Sequence, residues 1–324
     1  MGRKNVVDRV LDLIDERQNP CIVGLDPSMN QIPEHVRMEA TDRYSDPFRA
    51  AGYALVQFSR SIIDAVAGIV PAVKPQAAFY EQYSSDGVRA LLETVEYAKD
   101  RGLIVIEDAK RNDIGSTAKA YADGHLGKVE MADGTFLSSL DVDMMTINPY
   151  LGSDGIDPFV EICNRFGKGV FILDKTSNPS SGELQDRLIE GKERIYETVA
   201  RRIHELGKDL IGERGYSSIG AVVGATYPDE AVKARRIMPQ SIFLVPGYGA
   251  QGGEADDLFP CFNDDGYGAL VNSSRGIIFA YLREPYLSEF SDKEFHLASR
   301  QAALDMRESV LKILKKHGKL PQGW

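Results

Sequence analysis

The sequence predicts a single-domain α/β protein spanning residues 1–324, a (β/α)8 TIM barrel with an N-terminal helix and loop insertions. Three observations carry this. Eight short apolar runs rich in β-branched residues recur along the chain, segments of helical periodicity separate them, and each run ends in a polar, glycine or charged residue. Runs that are apolar throughout are what strands buried on both faces look like. Eight strand–helix units close a barrel more naturally than they fill an open sheet.

The first element is a helix. Val6, Val7, Val10, Leu11, Leu13 and Ile14 recur at helical spacing, broken by Asp8, Asp12, Asp15 and Glu16, which suits an amphipathic helix packed on the body and not a secretory segment. The strands follow at 21–26, 69–74, 103–108, 144–148, 170–175, 219–224, 242–247 and 270–273, with helical periods such as 88–98 and 194–206 between them. A minimal barrel needs only about 250 residues, so the extra length implies insertions. The candidates are 124–140 and 178–191. Residues 290–324 read as a closing helix with a basic, solvated tail at 315–319. No Pro/Gly/Ser-rich linker divides the chain.

Apolar residues make up 43% of the chain and charged residues 27%, which is ample material for a core. The net charge of −10 argues against nucleic-acid and anionic-membrane partners, so an anionic ligand would need cations gathered locally. No apolar run approaches the roughly 18 residues of a membrane span. Cys21, Cys163 and Cys261 have no ligand spacing, and three scattered cysteines fit free thiols in a reducing, cytoplasmic setting.

In a barrel the chemistry sits at the C-terminal ends of the strands. Asp26 ends the first run, Lys74 the second, Asp108 and Lys110 the third, and Asp174, Lys175 and Ser177 follow the fifth. In extended chain Asp108 and Lys110 point to the same side, and Asp113 is expected to cap the next helix, whose first turn holds Gly115, Ser116 and Thr117. With Lys74 this makes two carboxylates and two ammonium groups at one mouth. Carboxylates beside lysines favour the charged ammonium, and such a cation can stabilise and then protonate a carbanion. A strand-end Asp–Lys pair can equally be structural, but two later motifs weigh against that. Pro246-Gly247-Tyr248-Gly249-Ala250-Gln251-Gly252-Gly253 follows the seventh run and Asn272-Ser273-Ser274-Arg275-Gly276 the eighth. Loops at these two positions are the recurrent phosphate site of barrels.

The Asp-x-Lys-x-x-Asp array of Asp108, Lys110 and Asp113, the Gly-Leu-Asp run ending in Asp26, Lys74 and the Pro-Gly-x-Gly-Ala-Gln-Gly-Gly loop together resemble the orotidine 5′-phosphate decarboxylase family. The likeness runs from about residue 21 to 275 and is to the longer, bacterial-type branch. It implies a homodimer that converts orotidine 5′-phosphate to uridine 5′-phosphate with no cofactor and no metal. Lys110 would protonate the ring carbon that loses carbon dioxide, and Asp108 would sit against the departing carboxylate. Lys74 and Asp26 would hold ribose hydroxyls and the charge network, while Asp113 and Thr117 would reach into the neighbouring subunit's site. Ser177 would read the pyrimidine amide, with Ser180 and Ser181 close by. Gln251 and Arg275, with the glycine loop at Gly249, would bind the phosphate.

Other residues earn no role. The five histidines are scattered, and Phe79, Tyr80 and Tyr83 read as packing. Asp141 and Asp143 lack the glycine and distal glutamate of a metal loop, and Ser153 or Asp154 is expected to cap a helix. Two other functions remain: a magnesium-dependent sugar-phosphate decarboxylase or aldolase of the same superfamily, and a phosphosugar-binding barrel without catalysis. The former would carry a glutamate metal ligand near the end of the second strand, where Lys74 stands.

Overall fold

The computed structural model describes residues 4–248 and 255–324, and in it eight parallel strands close into one barrel. In chain order they are β1 (Cys21–Leu25), β2 (Ala72–Pro75), β3 (Ile104–Arg111), β4 (Met144–Ile147), β5 (Gly169–Lys175), β6 (Ser217–Val223), β7 (Ser241–Val245) and β8 (Ala269–Ser273). Each strand pairs with its neighbours in sequence, and β8 pairs back onto β1. All eight expected runs are therefore barrel strands, in the expected order. Parallel neighbours require long crossovers, which the intervening helices supply.

Side-chain alternation sorts the strands into two cores. Val23, Val73, Val105, Ile172, Phe243 and Val271 pack outward with helical residues such as Phe58 and Ile62 of the helix Pro47–Val66. Ile22, Ala72, Ile104, Met144, Phe171 and Leu270 belong to a second cluster inside the barrel. Val6, Val7, Val10, Leu11 and Ile14 join that inner cluster, so the N-terminal helix Val6–Arg17 stoppers the N-terminal end of the barrel. Asn5 caps this helix by accepting from Val7 N at 3.0 Å. Buried Asp8 ties it to the loop before β6 by accepting from the backbone N–H groups of Glu213 and Arg214 at 3.0 and 2.8 Å. With one end closed, the polar face of the barrel is at the other.

Both stretches read as insertions carry local structure of their own. Residues 124–140 contain an antiparallel ladder between Val129–Glu130 and Phe136–Leu137. Residues 178–191 contain a 3-10 turn, Pro179–Glu183, and the strand Leu188–Ile189, which pairs with Glu193–Arg194 just beyond. The closing helix is Phe295–Lys316. Its tail is not simply solvated: Lys316 Nζ bonds Asp256 at 2.7 Å and Lys319 Nζ donates to the Phe262 carbonyl at 2.6 Å.

Two expected helix caps are absent. Ile114 is the N-cap of the helix Gly115–His125, so Asp113 stands one residue too early and accepts instead from Ile114 N at 2.8 Å. Gly152, with φ 71°, precedes the helix Ser153–Phe166, leaving Ser153 and Asp154 already inside its first turn.

Candidate active site

The alternation that buries Ile22, Ala72, Ile104 and Met144 inside the barrel continues upward to polar residues at the mouth. Two residues along from Ala72 is Lys74 and then Gln76. The Ile104 and Ile106 series continues to Asp108, and Met144 is followed by Thr146. Register then brings these rows together: Gly24 pairs with Lys74, and Gln76 bridges to Asp108.

Asp108 is the hub. Its Oδ2 accepts from Lys74 Nζ at 2.8 Å and Gln76 Nε2 at 3.0 Å. Its Oδ1 accepts from Lys110 Nζ at 2.5 Å and Thr146 Oγ1 at 2.9 Å. Burial works against a charged carboxylate here, but the Lys74 and Lys110 cations outweigh it and hold the Asp108 pKa well below the usual range. Burial likewise pulls the Lys74 ammonium down, yet the Asp108 and Asp26 charges win and hold its pKa above the ordinary lysine value. Asp26 Oδ1 lies 4.0 Å from Lys74 Nζ and is buried without a hydrogen-bond partner among the described residues. The residue lines the cavity with this acceptor unsatisfied.

Lys110 does not reach Asp108 by strand alternation, as extended geometry predicts. Its φ is 50°, and the β3–β4 register shifts between Glu107 and Arg111. A left-handed lysine costs about 1–2 kcal/mol. Lys110 N donates to Thr146 Oγ1 at 2.9 Å, which helps hold the strained turn, so Thr146 supports both members of the pair.

Above this cluster opens a cavity of about 460 Å³. Leu173, Val222 and Leu244 line it beside the charged cluster, and its rim is formed by Ser177 after β5, Gly247 and Tyr248 after β7, and Ser274 and Arg275 after β8. The size suits a small-molecule ligand. Gly24 is required for this shape, since a Cβ there would stand 1.9 Å from Ser274 Oγ. Arg275 is exposed and begins the short helix Arg275–Ile278.

Asp26, Lys74, Asp108, Lys110, Ser177 and Arg275 thus meet in one cavity. Asp113 and Thr117 do not line it. Gly249 and Gln251 lie outside the described residues. Of the three serines after β5 only Ser177 lines the cavity: Ser180 is exposed, and Ser181 is buried with Lys175 Nζ at 3.2 Å. Asp174 and Lys175 are also turned away from the mouth. Asp174 is buried, with both carboxyl oxygens unpartnered among the described residues, and burial raises its pKa well above the usual value. Gln76, Thr146 and Gln185 line the cavity and were not singled out in the sequence. The first two were within reach, because each stands two residues along from an inward-facing neighbour.

Several other titratable groups are held in pairs away from the cavity. His125 Nδ1 is 2.6 Å from buried Glu107, on the outward face behind Asp108. Asp141 pairs with Lys99 and Lys168, Asp143 with Arg9, and Tyr80 with Ser59. Among the described residues no three metal-ligating side chains gather. No helix among them is long and apolar enough to cross a membrane.

A stoppered parallel barrel with a Lys–Asp–Lys cluster on β2 and β3, facing a cavity rimmed by the loops after β7 and β8, is the architecture of a (β/α)8-barrel enzyme. Sequence comparison makes this specific. The model of the orotidine 5′-phosphate decarboxylase / HUMPS family matches residues 22–285, and the chain belongs to that family. It is 48% identical over 288 residues to the orotidine 5′-phosphate decarboxylase of Rhodopirellula baltica, covering 89% of this chain and 93% of that one. Among solved structures, Leishmania donovani OMP decarboxylase is 29% identical with a TM-score of 0.69, covering 95% of this chain and 98% of that one. Leishmania donovani UMP synthase is 30% identical with a TM-score of 0.70, and the match covers 96% of this chain but 56% of that longer one.

Proposed function

We propose that the chain decarboxylates orotidine 5′-phosphate to uridine 5′-phosphate without metal or cofactor. The observation that carries this is Asp108 held between two lysines, one buried and one reaching the cavity, at the foot of a nucleotide-sized space. Loss of carbon dioxide leaves an electron pair on the ring carbon with no attached sink, so fixed charge must meet it. Lys110 is the group free to do so: its side chain is 45% exposed, whereas that of Lys74 is 4% exposed. Lys110 stabilises the carbanion and delivers its N–H proton to the same carbon. Asp108 faces the departing carboxylate, Asp26 and Lys74 receive the ribose hydroxyls, and Ser177 reads the pyrimidine amide. Arg275, with Gln251 and the backbone at Gly249, binds the phosphate, whose binding energy orients the ring.

Residues 1–324 act in this reading as one barrel domain, in the reducing cytoplasm that three free, buried thiols suit. The protein works as a homodimer in which Asp113 and Thr117 serve the partner's site. Thr117 is exposed and Asp113 half-buried, and neither lines the home cavity, which supports this. The metal-dependent alternative is disfavoured by Lys74, a buried cation where a glutamate ligand would stand.

The test is loss of ultraviolet absorbance from orotidine 5′-phosphate with excess chelator present. Continued turnover is expected. Activity abolished by chelator and restored by magnesium would favour the metal-dependent branch.

A further inference from the structure

β5 ends in Lys175, a cation with no exposed surface. It is covered because residues 179–194 fold over it as a strap. Lys175 Nζ donates to both Asp186 oxygens at 2.9 and 3.0 Å and lies 4.2 Å from the centre of the Tyr227 ring. The adjacent strap residue, Gln185, brackets Thr176: its Oε1 accepts from Thr176 N at 3.0 Å, and its Nε2 donates to Thr176 Oγ1 at 2.7 Å. The strap itself is anchored on the helix Ile195–Gly207, where Tyr196 N donates to the Gln185 carbonyl at 3.1 Å, and Arg194 Nη1 donates to the Asp186 carbonyl at 3.0 Å.

Two consecutive strap residues therefore grip the two residues that immediately precede Ser177. From the β6 side the turn is held just as closely. Gly224 N donates to the Lys175 carbonyl at 2.7 Å, and a Cβ on Gly224 would lie 2.7 Å from Ser177 Cα. Burying an ion pair is a poor way to gain stability compared with apolar cover, but it demands one geometry. Among the described residues no hydrogen bond joins the strap to the loops after β7 and β8, and the strap's own bonds fall at the Ser177 end of the cavity.

We propose that Asp186 and Gln185 are positioning residues that fix the turn carrying Ser177, so that the strap sets how tightly the cavity selects a pyrimidine ring. This rests on the cavity being an orotidine 5′-phosphate site. Among the described residues the strap makes no hydrogen bond to Arg275, so its effect is expected to separate from phosphate binding.

The experiment uses the full chain and competitive inhibition by two probes, uridine 5′-phosphate and ribose 5-phosphate, which share the phosphate and differ in the base. Gln185→Ala and Asp186→Ala are each expected to weaken uridine 5′-phosphate by about tenfold while ribose 5-phosphate changes by less than about twofold. Asp186→Glu, which can still reach Lys175, should recover most of the loss. Equal weakening of both probes, or no change in either, overturns the proposal. Should Asp186→Ala fail to fold by circular dichroism, Gln185→Ala decides alone, because it leaves the ion pair in place. A wild-type chain that neither turns over orotidine 5′-phosphate nor prefers the base-bearing probe overturns the reading of the cavity, and with it the strap's role, before any variant is compared.

Discussion

Lys74 donates to Asp108 across 2.8 Å from a position with almost no solvent contact, the innermost charge pair of the mouth. Removing one member of a buried pair strands the other, at a cost of about 3–5 kcal/mol. The pH dependence follows from the directions of the two shifts. Asp108 has a depressed folded pKa, so its contribution is complete above the ordinary carboxylate range and is lost as pH falls through the lower folded value. The gap in Tm between wild type and Asp108→Asn should be wide at about pH 7 and narrow steadily below about pH 4. A gap that stays constant down to strong acid would contradict the assigned charge state.

Thr146 bonds both Asp108 and the backbone N–H of Lys110, so Thr146→Val removes a hydroxyl with little change of shape. A hydrogen bond to a charged group is worth about 1.5–3 kcal/mol, which corresponds to a fall in kcat of about ten- to a hundredfold. KM should change little, since Thr146 bonds Asp108 and Lys110, the pair assigned to the chemistry in the proposed function, and not Arg275. Steady-state kinetics checks both numbers, and an unaltered kcat would remove Thr146 from the mechanism.

Lys110→Ala should cut turnover by orders of magnitude while uridine 5′-phosphate still binds, because the phosphate contacts remain. Arg275→Ala should do the reverse, raising KM with a smaller effect on kcat. Near-normal turnover without Lys110 would show that the proton comes from elsewhere.

The shared-site dimer is tested by mixing inactive homodimers of Lys74→Ala and Asp113→Ala after mild dissociation. Each mixed dimer holds one intact and one doubly damaged site, so random remixing of equal amounts should restore about a quarter of wild-type activity. If mass measurement shows exchange and activity stays at the parental average, Asp113 serves its own chain.

Asp174 offers a test of stability apart from catalysis. Burial raises its folded pKa, with Lys175 opposing only in part, so the stability associated with its proton is full below the ordinary carboxylate pKa and is lost as pH rises through the folded value. Asp174→Asn should therefore raise Tm more at about pH 8 than at about pH 4.5. Equal shifts at both would mean the carboxyl is ionised in the fold.

Much of the site was legible because a parallel barrel ties chemistry to ordinal position. Lys74, Asp108 and Arg275 could be placed at the mouth from the strand they end or follow, without knowledge of any contact. Local geometry was less legible. The Asp113 cap failed by a single residue, and Lys110 meets Asp108 through a left-handed turn that extended alternation does not contain. Both depend on how β3 leaves the barrel beside β4.

The sequence by itself determined the eight strands, their order, the N-terminal amphipathic helix and the identity of the charged groups, because apolar periodicity and strand-end position are local properties of the chain. Only the tertiary structure decided which of those groups act together. Asp174 and Lys175 also lie at a strand end, yet one is buried without a hydrogen-bond partner among the described residues and the other is bound by Asp186 from the strap. Thr146 and Gln76, not singled out in the sequence, bond Asp108 directly. The physical reason is that a side chain's face follows from alternation along its own strand, whereas its partner follows from inter-strand register and from loops that fold over the mouth.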